Sequence, residues 1–116
     1  MSLPQLNVYR HDRKTQALVT LSGELDLETA DLVRESLQRC LRDGILTVDV
    51  DLTPLVFCDC SGLNVFLQAW QEAENTGATL QLHWPPPILE RLLALTECDF
   101  LVSGAAAVPV TLAATG

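Results

Sequence analysis

The chain has 116 residues, 48% of them hydrophobic, and a formal net charge of −8. This length and composition are typical of one globular domain with its own core, and we expect that domain to span residues 1–116. Because fifteen acidic residues outnumber seven basic ones, the sequence argues against binding to nucleic acid or to anionic membranes. It shows neither a secretion signal nor an apolar run of bilayer length, so we expect a cytoplasmic protein.

The first predicted elements are two strands joined as a hairpin. Their apolar residues alternate with polar ones: Leu6, Val8, Ala17, Val19 and Leu21. This period of two is typical of strands that bury one face. We expect residues 11–14 to form the charged turn between the strands. Residues 23–26 are expected to form the next turn, where Asp26 is placed to cap a helix.

A helix and a third strand follow. The helix is marked by apolar residues at three- and four-residue intervals: Ala30, Val33, Leu37, Cys40 and Leu41. Gly44 is expected to end it, because glycine readily adopts the left-handed conformation that closes many helices. Residues 45–52 are short and rich in β-branched side chains, which predicts a strand. Its expected buried residues are Leu46, Val48, Val50 and Leu52.

Residues 57–64 hold the densest polar chemistry in the chain and lead into the next predicted helix. The apolar face of that helix consists of Leu63, Phe66, Leu67, Trp70 and Ala73, and Gly77 ends it. Asp59, Cys60 and Ser61 therefore lie at a helix N-terminus, where unpaired backbone N–H groups favour an anion. Ser61 at this position is interpreted either as a cap or as a phosphate acceptor.

The remaining elements complete an alternation of strands and helices. Residues 78–83 predict a strand, and the prolines at 85–87 lead into a helix. The expected buried face of this helix is Ile88, Leu89, Leu92 and Leu95. A short strand is expected at 100–103, and residues 104–116 form a tail of undefined structure. A hairpin followed by alternating elements predicts an α/β fold whose largely parallel sheet is built by right-handed crossovers.

Acidic side chains are expected to collect at one edge of this sheet. Asp26, Asp51 and Asp59 follow strands whose carboxyl ends meet there, beside Ser61. One interpretation is structural, with Asp26 and Asp59 as helix caps and Asp51 at an exposed strand end. Another is a functional site, and an acid/base pair for hydrolysis is the enzymatic version of it. Spacing alone leaves these interpretations open.

The four cysteines show neither the spacing of a disulfide framework nor that of a metal site. They are Cys40, Cys58, Cys60 and Cys98. Each lies in or beside an apolar segment, so we expect reduced and mostly buried thiols. Cys58 and Cys60 are spaced as a redox or metal pair, but His11 and His83 are isolated and no second pair accompanies them. We expect neither a metal ion nor a cofactor.

Three segments in this order resemble the STAS domain. They are residues 23–26 (GELD), 48–52 (VDVDL) and 57–63 (FCDCSGL), and the resemblance runs from about residue 6 to residue 103. It is greatest to the small free-standing anti-sigma factor antagonists of bacteria. The resemblance implies a mixed sheet with helices packed mainly on one face, and a binding module without enzymatic activity. An alternative is a STAS-fold module that binds a small ligand or acts as a scaffold in a regulatory complex.

The resemblance also implies a partner and a contact surface. The partner would be an anti-sigma factor with a kinase-type ATP-binding fold, and binding would release a sigma factor for transcription. The residues implied at the interface are Asp26, Asp51, Asp59, Cys60, Ser61, Gly62, Asn64 and Gln68. The oligomeric state is not predicted.

In this family the partner phosphorylates the Ser or Thr that directly follows the Asp of a turn similar to Asp-Ser-Ser-Gly-Leu, and a Ser/Thr phosphatase reverses the reaction. Here Cys60 follows Asp59, and Ser61 matches the second, usually unmodified position. A thiol is not a substrate for an ordinary Ser/Thr kinase. Three hypotheses follow: a permanently active antagonist, phosphorylation displaced to Ser61, or a redox input at Cys60.

Overall fold

The computed structural model describes residues 5–102, so the expected tail at 104–116 lies outside the described residues. The strands are β1 (Leu6–Arg13), β2 (Gln16–Leu25), β3 (Thr47–Asp51), β4 (Leu55–Cys58) and β5 (Thr79–His83). The helices are α1 (Ala30–Arg42), α2 (Cys60–Thr76) and α3 (Pro87–Leu95), followed by a 3₁₀ turn at Asp99–Leu101.

The strands form one mixed sheet in the order β1-β2-β3-β5, with β4 paired to β2. β1 and β2 are antiparallel, as the predicted hairpin requires, and the other pairs are parallel. The ten-residue β2 has two partners in succession on the same side. Residues 16–20 pair with β3, and residues 23–25 pair with β4. The α/β class and the mixed sheet are therefore confirmed.

The core lies between one face of this sheet and the helices. Buried residues alternate with half-exposed ones along β2, β3 and β5, so a single sheet face is covered. In α2 the predicted apolar face is confirmed, with Phe66 fully buried and Trp70 half-buried in ring contact with Phe100. Gly77 ends α2 with a φ of 80°, the left-handed conformation that glycine adopts without strain.

The predicted strand at 45–52 is shorter than expected, and a further strand was missed. β3 begins at Thr47, so Leu46 lies before the β3 ladder, and its side chain is 51% exposed. The Leu46 N–H donates to the Thr15 carbonyl in the hairpin turn. The further strand is β4, which lies where the sequence pattern predicts no strand and which pairs with the end of β2. The predicted turn at 23–26 is wrong for the same reason, since residues 23–25 belong to β2 and hydrogen bond to β4.

The hairpin turn and the end of the chain also differ from expectation. β1 continues through the charged residues as far as Arg13, and the turn consists of Lys14 and Thr15, with Lys14 at a φ of 59°. The predicted strand at 100–103 is replaced by the 3₁₀ turn and by a single bridge between Val102 and Leu82. Residue 103 lies outside the described residues.

The register predicted for α3 is partly wrong. Leu89 is buried as expected, but its buried partner is Leu93, at 1% exposure, while Leu95 is 75% exposed. Ile88 is also exposed, and Leu92 is half-buried. Because most residues of this short helix are apolar, the hydrophobic pattern does not fix which stripe faces the core.

Leu93 and Leu95 provide a matched test of this register. Leu93→Ala should lower the free energy of unfolding by about 2–5 kcal/mol, because it leaves a cavity in the core. Leu95→Ala should change it by less than about 0.5 kcal/mol, as expected for an exposed position. Urea denaturation followed by circular dichroism measures both values. Equal losses for the two variants would contradict the described orientation of α3.

Candidate functional site

Two strand-to-helix junctions lie side by side at one edge of the sheet. β2 leads into α1, β4 leads into α2, and Leu25 is the parallel partner of Cys58. The Asp59 N–H donates to the Leu25 carbonyl at 3.2 Å, which continues the pairing beyond the end of β4. Since Asp26 and Asp59 directly follow these paired residues, the structure brings them together as predicted.

Asp59 is the N-cap of α2, as one interpretation of the sequence proposed. Its Oδ1 accepts hydrogen bonds from the N–H groups of Ser61 at 2.9 Å and Gly62 at 3.4 Å. This carboxylate therefore occupies the donors that a helix N-terminus offers to an anion. The start of α2 consequently presents side chains to solvent and has no open phosphate cradle.

Gly62 is buried, so its expected place on an exposed contact surface is wrong. A Cβ at this position would lie 2.6 Å from Cys58 Sγ and 2.6 Å from Leu25 Cγ. Contacts this short do not occur between real side chains, so the first turn of α2 approaches the β2–β4 pair closely only because residue 62 lacks a side chain. The glycine here has a packing role beneath the junction.

Asp26 stabilises the turn before α1. Its Oδ1 accepts from the N–H groups of Glu28 at 3.0 Å and Thr29 at 3.2 Å. The N-cap position itself belongs to Thr29, a buried residue whose hydroxyl donates to the Glu24 carbonyl at 2.9 Å. Asp26 therefore caps the turn and not the helix, which refines the predicted role.

Asp51 does not join the other two carboxylates. It pairs with Thr20 on β2, whereas the junction begins five residues further along β2 at Leu25. At about 3.3 Å per residue this offset corresponds to roughly 17 Å. Asp51 Oδ1 instead accepts from the Thr53 N–H at 2.9 Å. The expectation of three carboxylates around one helix N-terminus fails because β3 and β4 follow one another along β2.

Three of the predicted contact residues form an exposed row on α2. Cys60, Asn64 and Gln68 are all exposed and are spaced four residues apart, so they lie on one stripe of the helix, while Ser61 is only half-exposed. Gln68 Oε1 accepts from Arg34 Nε at 3.3 Å, which links this stripe to α1. Arg34 is itself ion-paired with Asp31 one turn earlier. The exposed surface therefore extends across both helices.

Apolar side chains at the two junctions were missed by sequence reasoning. Leu27, which follows Asp26, is 79% exposed, and Val56, in β4, is 69% exposed. The signal for Leu27 was present, since it is an apolar residue between two carboxylates in a turn. Val56 was hidden because β4 itself was not recognised. We define the junction surface as Asp26, Leu27, Asp59, Cys60, Asn64 and Gln68.

The cysteines are free thiols, and all except Cys60 are buried, as expected. Burial, and to a smaller extent the neighbouring Asp59 carboxylate, raise the pKa of the Cys58 thiol to about 12. Cys58 is therefore a poor partner for thiol exchange with Cys60, because the thiolate is the reactive form. Within residues 5–102 no group of three or more His, Cys, Asp or Glu side chains is arranged to hold a metal ion. In the same part of the chain, no helix has the length and apolarity to cross a bilayer.

Solved structures with the same fold include anti-sigma factor antagonists. An anti-sigma factor antagonist from Mycobacterium paratuberculosis is similar with a TM-score of 0.76 and 20% identity, over 89% of this chain and 88% of that one. The phosphorylated form of SpoIIAA, a Bacillus cell fate determinant, matches with a TM-score of 0.68 and 18% identity, over 84% and 87%. SpoIIAA in its unphosphorylated form matches with a TM-score of 0.64 and 20% identity, over 78% and 82%.

A comparison with protein-family models matches residues 5–113 to the STAS domain. This match spans nearly the whole chain and includes both junctions. It extends beyond residue 103, where the resemblance seen in the sequence ended. The chain belongs to the STAS domain family.

Proposed function

We propose that this protein is an anti-sigma factor antagonist that acts by binding and not by catalysis, in the cytoplasm. Its partner would be an anti-sigma factor with a kinase-type ATP-binding fold, and complex formation would release a sigma factor for transcription. The observation that carries the proposal is the exposed α2 row of Cys60, Asn64 and Gln68 beside the exposed Leu27. The similar fold of two anti-sigma factor antagonists, the Mycobacterium paratuberculosis protein and SpoIIAA, supports this role.

The junction surface has the composition of a protein-binding site. Leu27 projects a large apolar side chain into solvent between the carboxylates of Asp26 and Glu28. The Asn64 side chain makes no hydrogen bond with any residue from 5 to 102, so its amide group is available to a partner. An apolar anchor surrounded by polar groups is typical of an interface centre, where a few residues dominate the binding free energy.

The proposed switch differs from that of the family. Cys60 is the exposed first residue of α2, where the resemblance implies a hydroxyl that accepts phosphate. Without that hydroxyl the antagonist stays in its binding-competent form, and a Ser/Thr phosphatase is not needed to reactivate it. Ser61 is a poorer acceptor because it is half-buried and its N–H is held by Asp59.

Electrostatics explains why a phosphate at this position would weaken binding. A phosphoryl group adds about −1.5 to −2 charges. Two like unit charges about 6 Å apart repel by about 3 kcal/mol at an effective dielectric of about 20. Asp26 and Asp59 already make this edge acidic, and the N-terminus of α2 offsets only about 0.3–1 kcal/mol. A partner that approaches this edge would meet the added charge, at a cost of about 3 kcal/mol for each like-charged group that it places at that distance. Without the hydroxyl this binding penalty does not arise.

The interface is tested by two substitutions that leave the described hydrogen bonds intact. Asn64→Ala and Leu27→Ala should each weaken binding to the cognate anti-sigma factor at least about tenfold, or about 1.4 kcal/mol. Isothermal titration calorimetry measures the dissociation constants. Both side chains project from the junction surface, so the losses should arise from missing contacts with the partner and not from unfolding.

Matched controls come from the opposite end of the molecule. Asn75 lies in the last turn of α2, and Leu46 lies before β3 at the far edge of the sheet. The control variants are Asn75→Ala and Leu46→Ala. Both residues are exposed, and we expect wild-type affinity for both variants. If all four variants bind as tightly as the wild type, the junction surface is not the interface.

The switch is tested by restoring the hydroxyl. Incubated with the anti-sigma factor and ATP, the wild type should acquire little phosphate, and any that appears should be on Ser61. Cys60→Ser changes one atom beside the Asp59 cap, so it should become phosphorylated and then bind the partner at least about a hundredfold more weakly, or about 2.7 kcal/mol. Intact mass spectrometry and calorimetry provide the two measurements.

Ser61→Ala, introduced into the wild type and into the Cys60→Ser variant, identifies the residue that accepts the phosphate. Phosphorylation of Cys60→Ser should persist when Ser61 is also replaced, because the introduced hydroxyl is the acceptor. Two results would sink the hypothesis: efficient phosphorylation of the wild type at a residue other than Ser61, or an unmodified Cys60→Ser protein beside a kinase that is active on a conventional antagonist.

A further inference from the structure

The outer edge of β1 is an unused binding edge. Among the strands that the structure describes, β1 pairs with β2 alone, and the Glu24 N–H donates to the Gln5 carbonyl at 2.7 Å. Because hydrogen-bonded and non-bonded pairs alternate in an antiparallel ladder, every second residue from Gln5 onward is bonded to β2. The residues between them point their N–H and C=O groups outward: Leu6, Val8, Arg10 and Asp12. Within the described part of the chain, no backbone partner bonds to these groups.

A groove runs alongside this edge, between β1 and α1. It has a volume of about 430 Å³ and is lined by Val8 and Arg10 on the strand side and by Leu32, Glu35 and Arg39 on the helix side. Val8 is half-buried and Leu32 is 41% exposed, so the groove has a partly apolar wall. On the opposite face of β1, Tyr9 is 58% exposed. A strand added to β1 would cover both sides of the edge at once.

We propose that a second copy of this chain binds this edge, so that two β1 strands pair antiparallel about a two-fold axis at Tyr9. The two sheets would then form one continuous sheet, with each α1 beside the other. This inference concerns self-association and is independent of the function proposed above.

The charge pattern and the length of β1 together favour this register. Only outward-facing residues can hydrogen bond across the new edge, so Val8 must lie opposite an even-numbered residue of the second copy. With Tyr9 opposite Tyr9, Val8 lies opposite Arg10 and no like charges oppose each other. A shift of two residues in one direction places Arg10 opposite Arg10, which is destabilising. A shift in the other direction places Val8 opposite Val8 and shortens the paired part of β1 from residues 6–12 to residues 6–10. Arg10 already forms ion pairs with Asp12 at 2.8 Å and Asp43 at 3.0 Å, so its charge is compensated where it meets Val8.

The facing surface of α1 is self-complementary. Glu35 and Arg39 lie one turn apart on the groove side, and neither forms an ion pair with any residue that the structure describes. The proposed axis at Tyr9 lies between Val8 and Arg10 on the strand side of the groove, and Glu35 and Arg39 line its helix side. With the axis level with the midpoint of these two residues, Glu35 of one copy faces Arg39 of the other. Two-fold symmetry produces this pair twice, which is the self-complementarity that an isologous dimer requires.

Cross-linking tests the register directly. In a Cys60→Ala background, which removes the exposed native thiol, Tyr9→Cys should form a covalent dimer under mild oxidation, because Cα atoms of directly opposed residues are within disulfide reach. Asn7→Cys is the matched control on the same face of β1. Its symmetry mate lies four residues along the strand, or roughly 13 Å away, so it should stay monomeric on a denaturing gel. Equal cross-linking of both variants would overturn the register.

Sedimentation equilibrium of the unmodified chain tests the dimer itself. The mass should rise towards twice the monomer value with concentration, and Glu35→Arg or Arg39→Glu should weaken association at least about tenfold by placing like charges together. The double variant restores opposite charges and should recover the wild-type association. A monomer at all concentrations up to about 1 mM, or no recovery in the double variant, would refute the proposal. These exposed helix positions leave the core intact, so folding is not in question.

Discussion

The pairing of β2 with two successive strands determines where everything else lies. β3 uses the first half of β2 and β4 uses its end, so the helix that follows β4 begins beside the helix that follows β2. The Asp59 N–H bond to Leu25 holds the two junctions together at that edge. Without β4, the N-terminus of α2 would follow β3 directly and lie near Asp51, far from the turn at Asp26.

The close approach at Gly62 shows how packing and site geometry depend on each other. Leu25 and Cys58 lie beneath the first turn of α2, and the missing Cβ of Gly62 allows that turn to contact both. The packing is apolar and closed, which raises the pKa of Cys58 and keeps it apart from solvent. Cys60, two residues later, is exposed on the same helix. The Cys58 thiol is therefore buried in the packing beneath α2, whereas the Cys60 thiol is accessible to solvent.

Charge is unevenly distributed over the molecule. Four of the seven basic residues lie on β1, its turn or the groove face of α1: Arg10, Arg13, Lys14 and Arg39. The junction surface at the other end is acidic. An acidic surface favours a partner whose contact surface is positively charged. The β1 edge carries both positive and negative side chains, in an order that suits antiparallel pairing. The junction surface and the groove along β1 have no residue in common, so one copy of the chain can use both.

The sequence determined those features that depend on neighbours in the chain. The period of two identified the hairpin, the period of 3.6 identified α1 and the apolar face of α2, and local chemistry placed Asp59 as a cap and Gly77 as a helix end. Tertiary structure decided the rest. β4 is too short to be seen without its partner, the buried stripe of α3 depends on the surface beneath it, and the contact between Arg34 and Gln68 joins two helices. The separation of Asp51 from Asp59 was likewise hidden, because strand register is set by pairing between distant segments.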